Sequence, residues 1–263
     1  MSFLGPDEPE QLGALTQDAI AGNFRITQRK HGHRYSIDDV LTAHIAACAR
    51  PAAARCLELG SGIGSVLLML AYRLPAARFV AIEAQRNSFA LLSRNISDNQ
   101  LDARVQALHG DLRALVTPAL GSFELVTGTP PYVPPGQATP SSDAQRAYAR
   151  QEFRGGVGDY VAAAARVLSA DGCLVVCGDA RAPHRIAQAC LQSGLSLHAQ
   201  CDVSPRLGRP PLFSVFTLAH GHAGEPARSL FVARTETGAR TEQYLALREA
   251  FGMPRPRAEP ASP

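Results

Sequence analysis

The stretch Glu58-Leu59-Gly60-Ser61-Gly62-Ile63-Gly64 follows an apolar run, residues 54–59, and precedes a segment with helical apolar spacing, residues 63–74. A strand that ends in glycines and turns into a helix brings unbonded backbone N–H groups to one point. Residues without a Cβ let a ligand come close to them. A second apolar strand at residues 77–83 and a helix at 86–95 follow, so strand and helix alternate, as in a parallel sheet.

Working outward, strands are expected at 104–108, 123–127, 172–177, 195–203 and 212–218, and helices at 157–168 and 183–193. The expected architecture is α/β, with a mostly parallel seven-stranded sheet. Its last two strands, joined without a helix, pair antiparallel at one edge. Ahead of this core a helix is expected at 10–20, a strand at 24–28, a hairpin at His31-Gly32 and a helix capped by Ser36 that runs to Pro51. Residues 1–50 are thus read as an N-terminal helix–hairpin–helix extension and 51–252 as the main α/β domain. The segment 253–263, with four prolines in eleven residues, is read as a disordered tail.

The glycine spacing narrows the ligand. A dinucleotide fingerprint would put its third glycine where Ser65 stands; here it comes one position earlier, at Gly64. Glu83 closes the next strand, where a carboxylate accepts hydrogen bonds from both hydroxyls of a ribose. Asp111 follows the third strand, placed to accept from an adenine amine. Together they point to a bound adenosyl nucleoside. With Glu58, Gly60, Gly62 and Gly64, this pattern resembles the Rossmann-like S-adenosylmethionine (SAM)-dependent methyltransferases, which implies SAM as cofactor.

After the fourth strand comes Gly128-Thr129-Pro130-Pro131-Tyr132. Two prolines stiffen the backbone and remove two N–H groups, leaving carbonyls to accept from an exocyclic amine, and a tyrosine can stack on a planar ring. The segment resembles the (Asn/Asp)-Pro-Pro-(Tyr/Phe) motif of methyltransferases that modify planar amino groups, which implies catalytic roles for Thr129, Pro130, Pro131 and Tyr132. Thr129 departs from that pattern: its hydroxyl reaches less far than an amide.

Gln28 and the run Gly32-His33-Arg34-Tyr35-Ser36-Ile37-Asp38 resemble the segment before the fold in bacterial tRNA(Val) adenine-N6 methyltransferases. Ala149-Arg150-Gln151-Glu152 and Arg240-Thr241-Glu242-Gln243-Tyr244 add to that likeness, which spans about residues 24–250. It implies that Gln28, Arg34, Tyr35, Ser36 and Asp38 line the cofactor pocket, and that tRNA or another RNA is the partner. Arg25, Arg29 and Lys30 before the fold, and Arg146 and Arg150 after the acceptor motif, are then candidates for phosphate contacts. Other readings stay open: a protein glutamine, a small-molecule amine or hydroxyl as acceptor, or an RNA-binding pseudoenzyme.

Composition agrees with a globular chain. Of 263 residues, 46% are hydrophobic and 19% charged, which excludes wholesale disorder, and the net charge of +3 by itself demands no nucleic-acid partner. No apolar run nears the roughly 20 residues of a membrane span, and no signal peptide is visible, so a cytoplasmic location is expected. The six cysteines, without CxxC spacing, are read as small core residues, and no metal-ligand spacing occurs.

Overall fold

Residues 11–114, 120–221 and 224–254 are described by the structure, a computed structural model. The chain opens with an antiparallel hairpin, β1 (Leu15–Ala21) and β2 (Phe24–Arg29), turning at Gly22-Asn23. There follow α1 (Ile37–Ala49), β3 (Arg55–Leu59), α2 (Ser65–Arg73), β4 (Arg78–Glu83), α3 (Arg86–Asp98), β5 (Val105–His109), a 3-10 turn (Leu112–Ala114) and β6 (Phe123–Gly128). The second half holds α4 (Ala144–Arg150), α5 (Val157–Ala165), β7 (Leu168–Asp179), α6 (Pro183–Ser193), β8 (Ser196–Ser204), β9 (Phe213–Ala219), β10 (Ala227–Val232) and α7 (Glu242–Ala250).

Eight strands form one sheet in the order β10-β8-β9-β7-β6-β3-β4-β5, parallel except for β9, which runs antiparallel to both β7 and β8. Alternation along the strands separates two apolar layers. Leu125 and Val175 pack with Leu41, Leu67 and Leu91 on one face, whereas Val126 and Val176 pack with Val161 and Ile186 on the other. From β3 the chain steps out to β4 and β5, then returns to β6 on the opposite side of β3. The carboxyl ends of β3 and β6 therefore bound the crevice where open α/β sheets bind ligands.

Four expectations are corrected. The sheet has eight strands, because residues 227–232 form an edge strand parallel to β8. Four of its six residues are exposed, so it lacks the apolar run that marks a buried strand. For the same reason the antiparallel pair is not at the edge: β9 is inserted between β7 and β8, and β10 flanks them. The helix expected at 10–20 is instead β1, since pairing with β2 outweighs a helical pattern too short to bury a face of its own. The hairpin then turns at Gly22-Asn23, where glycine leads a two-residue loop, rather than at His31-Gly32.

Cys56, Cys173 and Cys177 are buried as expected, Cys190 and Cys201 are half-buried, and Cys48 is exposed; all six are free. Among the described residues, no helix is long and apolar enough to cross a membrane. Most of the segment read as a disordered tail lies outside the described residues.

Candidate active site

The first wall of the site is made mainly of backbone. Gly60, with φ of +59°, turns the chain after β3, and a Cβ there would lie 2.0 Å from the Tyr160 hydroxyl on α5. Ser61 N–H donates to the Ile82 carbonyl at 2.9 Å, tying the turn to β4. Gly62 N–H donates to Glu83 Oε2 at 2.8 Å and Gln85 N–H to Glu83 Oε1 at 2.6 Å, so the carboxylate at the end of β4 orders the backbone on both sides. A Cβ at Gly62 would meet nothing within 4 Å: this glycine faces a cleft that Gly60, Glu83, Asp111 and Tyr35 also line. Gly64 caps α2.

Asp111, just past β5, accepts from Arg113 at 2.6 to 3.1 Å, and that guanidinium holds its carboxyl below the usual carboxylate range. Glu58 is wholly buried beneath the turn and lines neither cavity of the site. One of its oxygens lacks a hydrogen-bond partner, and burial first, then the Asp39 charge, pushes its carboxyl well above the ordinary range.

This donor set fits an adenosyl group. Two acids stand at consecutive strand ends, and a peptide edge without a side chain lies between them. When bound there, SAM supplies an electrophilic methyl group. Glu83 and the Gly60–Gly62 turn are the residues that would hold its nucleoside.

The second wall is made of side chains from distant parts of the chain. Thr129 and Pro131, at the end of β6, line both the cofactor cleft and an adjoining cavity that also includes Tyr132, Arg146 and Arg150. The Thr129 hydroxyl donates to Asp39 Oδ1 on α1 at 3.2 Å. Tyr132 donates to Asp38 Oδ2 at 3.2 Å, lies 3.1 Å from Cys177 Sγ and stacks on Phe213 with ring centroids 6.4 Å apart. Burial pushes its phenol well above the ordinary value.

The motif loop is stitched down downstream. Val133 N–H donates to the Arg150 carbonyl at 3.1 Å and Glu152 N–H to the Val133 carbonyl at 3.0 Å. The Glu152 carboxylate grips Arg185 of α6 through two bonds of 2.6 and 2.7 Å. Ala149-Arg150-Gln151-Glu152 thus braces the acceptor loop.

The N-terminal candidates divide between locations. Tyr35 lines the cleft with Glu83 and Asp111, and Arg34, Ser36 and Asp38 line the adjoining cavity. Gln28 lines neither. It is fully buried, its carbonyl accepting from Tyr35 N–H at 3.3 Å and its amide donating to Asp18 at 2.9 Å, so it shapes the segment from behind. Among the basic residues, Arg146 and Arg150 line the acceptor cavity, whereas Arg25, Arg29 and Lys30 line neither cavity. Arg29 is committed to Asp143 at 2.8 Å, with only 12% of its side chain exposed.

Three site residues escape the sequence reading: Asp39, Gln145 and Tyr160. Gln145 accepts from His33 N–H at 3.1 Å and donates to Ser88 Oγ at 3.2 Å, joining α4 to the N-terminal segment and to α3. No local signal marks it or Tyr160. Asp39 has one: it stands beside Asp38 in the first turn of a helix aimed at the sheet's carboxyl edge.

Residues 36–192 match the methyltransferase small domain family. A protein of a Flavobacteriaceae bacterium named tRNA1(Val) (adenine(37)-N6)-methyltransferase is 25% identical over 222 residues, 84% of this chain and 92% of its own length. The protein of the same name from Escherichia coli strain K12 is 27% identical over 198 residues, 75% and 80% of the two lengths. Among solved structures, a predicted O-methyltransferase from Agrobacterium tumefaciens superposes with a TM-score of 0.60 at 20% identity, covering 85% of this chain and all of that one. Pyrococcus horikoshii TYW2, solved in complex with MeSAdo, gives 0.54 at 14% identity over 78% and 70%. With the glycine turn, the paired strand-end acids and the diproline motif converging on one crevice, the chain belongs to the methyltransferase small domain family and is a SAM-dependent methyltransferase.

Proposed function

We infer that the protein transfers the methyl group of SAM to an exocyclic amine of an RNA base, in the first instance adenine N6 of a tRNA in the cytoplasm. The observation that carries this reading is that Thr129 and Pro131 line both cavities. A planar amine held at the motif therefore sits against the end of the cofactor cleft, where bound SAM would supply the methyl group for direct transfer. The similarity to proteins named as tRNA adenine-N6 methyltransferases supports the choice of base, and Arg146 and Arg150 beside the motif support a phosphate-bearing acceptor.

The residues' work is mostly placement. The Pro130 carbonyl accepts from the amine beside Thr129, the motif loop braced by Glu152 fixes their spacing, and Tyr132 walls the acceptor cavity. A base stacked in its loop must swing out to reach them. The reading is tested with methyl-labelled SAM and separate pools of unmodified tRNA, ribosomal RNA, protein and metabolites. Label in tRNA is expected; label in protein or metabolites alone would replace the acceptor.

A further inference from the structure

Helix α1 carries a carboxyl group whose placement exceeds the needs of its cap. Asp39 Oδ2 accepts from Ser36 N–H at 3.0 Å, closing the capping box. A capping acid in the first turn is ordinarily exposed, yet Asp39 is only 6% exposed. Its Oδ1 accepts from Thr129, 90 residues away, at the one motif position that departs from the family pattern. Among the described carboxylates of the site, Asp39 alone lines both cavities: Glu83 and Asp111 line only the cofactor cleft, and Asp38 only the acceptor cavity.

We propose that Asp39 is a catalytic residue, whose carboxylate supplies the acceptor that Thr129 is too short to provide and takes the proton released from the amine as it is methylated. The amine lone pair forms the N–C bond, the C–S pair returns to sulfur, and one N–H proton passes to Asp39, which gives it to solvent once product leaves. Methyl, charge and proton all balance without a further reactant. The inference rests on the amine-acceptor reading above.

The surroundings suit a proton acceptor working near neutrality. Burial and the neighbouring Asp38 charge push the Asp39 carboxyl up to about 7, against hydrogen bonds from Ser36, Thr129 and Ser65 that pull it down. Four buried groups around it are displaced toward their neutral forms. Burial raises Glu58 from β3, Tyr132 from the motif loop and Cys177 from β7, and lowers His33, which also lines both cavities.

The test is single-turnover methyl transfer from pH 5.5 to 8.5, on whichever acceptor pool the wild type labels, with calorimetry of SAM binding and thermal melting in parallel. Asp39→Asn retains a carbonyl for the Ser36 cap and cannot take a proton. It should lower the plateau rate about 100-fold or more and abolish the rising limb of the pH profile, with SAM affinity within about threefold of wild type. Thr129→Val removes a bond that favours the ionised carboxylate and should move that limb to higher pH. A rate for Asp39→Asn within threefold of wild type, an unchanged limb in that variant, or a loss of rate matched by lost SAM affinity would overturn the proposal. If Asp39→Asn fails to fold, Thr129→Val decides, an unmoved limb counting against it. A wild type that labels protein instead of RNA sinks the acceptor reading while leaving the Asp39 test intact, and one that labels no pool sinks both.

Discussion

The two walls of the crevice are built by different means. The cofactor wall is local: Gly60, Gly62 and Glu83 lie within 24 residues, and main-chain hydrogen bonds hold the turn in place. The acceptor wall is assembled across the chain, from Asp39 to Thr129 over 90 residues, Asp38 to Tyr132 over 94 and Gly32 to Arg146 over 114. A wall made of backbone tolerates few changes, because each alters the path of the chain. A wall made of side chains can exchange its chemistry one residue at a time, and Thr129 beside Asp39 is such an exchange.

That contrast breaks if mutations on the two walls have similar consequences. The largest effect is expected at Gly60, where Gly60→Val drives a Cβ into the Tyr160 hydroxyl and strains a left-handed backbone. It should cost about 3 kcal/mol or more of stability, read as a fall in the denaturant midpoint. Gly62→Val has open space around its Cβ, so it should cost only the backbone strain of about 1 to 2 kcal/mol while blocking the cofactor. Equal destabilisation by the two would mean that the space at Gly62 is not open, and unchanged SAM affinity in Gly62→Val would mean that the cleft there is not the cofactor site.

Next comes Glu83→Ala, which removes a buried carboxylate bonded by two main-chain N–H groups. SAM affinity should weaken by about 1.5 to 3 kcal/mol in calorimetry. On the acceptor wall, Arg146→Ala with Arg150→Ala should leave SAM binding alone and flatten the log–log salt dependence of RNA affinity by about 1 to 2 units. Lys30→Ala, whose side chain lines neither cavity, should change that slope less. The smallest effect is at Thr129: Thr129→Val loses one hydrogen bond of about 1 kcal/mol, roughly a fivefold fall in transfer rate at the alkaline plateau. Thr129→Asn, which restores a longer acceptor, should keep or raise the rate on an adenine substrate.

The same contrast separates what is legible in the sequence from what is not. Glu83 and Asp111 stand out because each follows an apolar strand, and a parallel sheet brings all such strand ends to one edge. The diproline motif announces itself by composition. Family likeness singles out Asp38, and Asp39 beside it passes as a helix cap, since one turn of sequence does not reveal which acid reaches Thr129. A second clue lies in the motif: one short of an acceptor at Thr129 implies an acceptor arriving from another element. β10 carries no clear sequence signal because it is stabilised by a neighbouring strand rather than by a buried apolar face, and β1 because its fully buried residues, Ile20 and Ala21, come only at its end.

A crevice that aims the methyl group at an adenine amine leaves one chemical signature, read by nucleoside mass spectrometry of unmodified tRNA after a single turnover with methyl-labelled SAM. Label in N6-methyladenosine, one methyl per tRNA, is expected; label in a ring-nitrogen or ribose methyl product, or unlabelled tRNA beside a labelled protein, would rule that aim out.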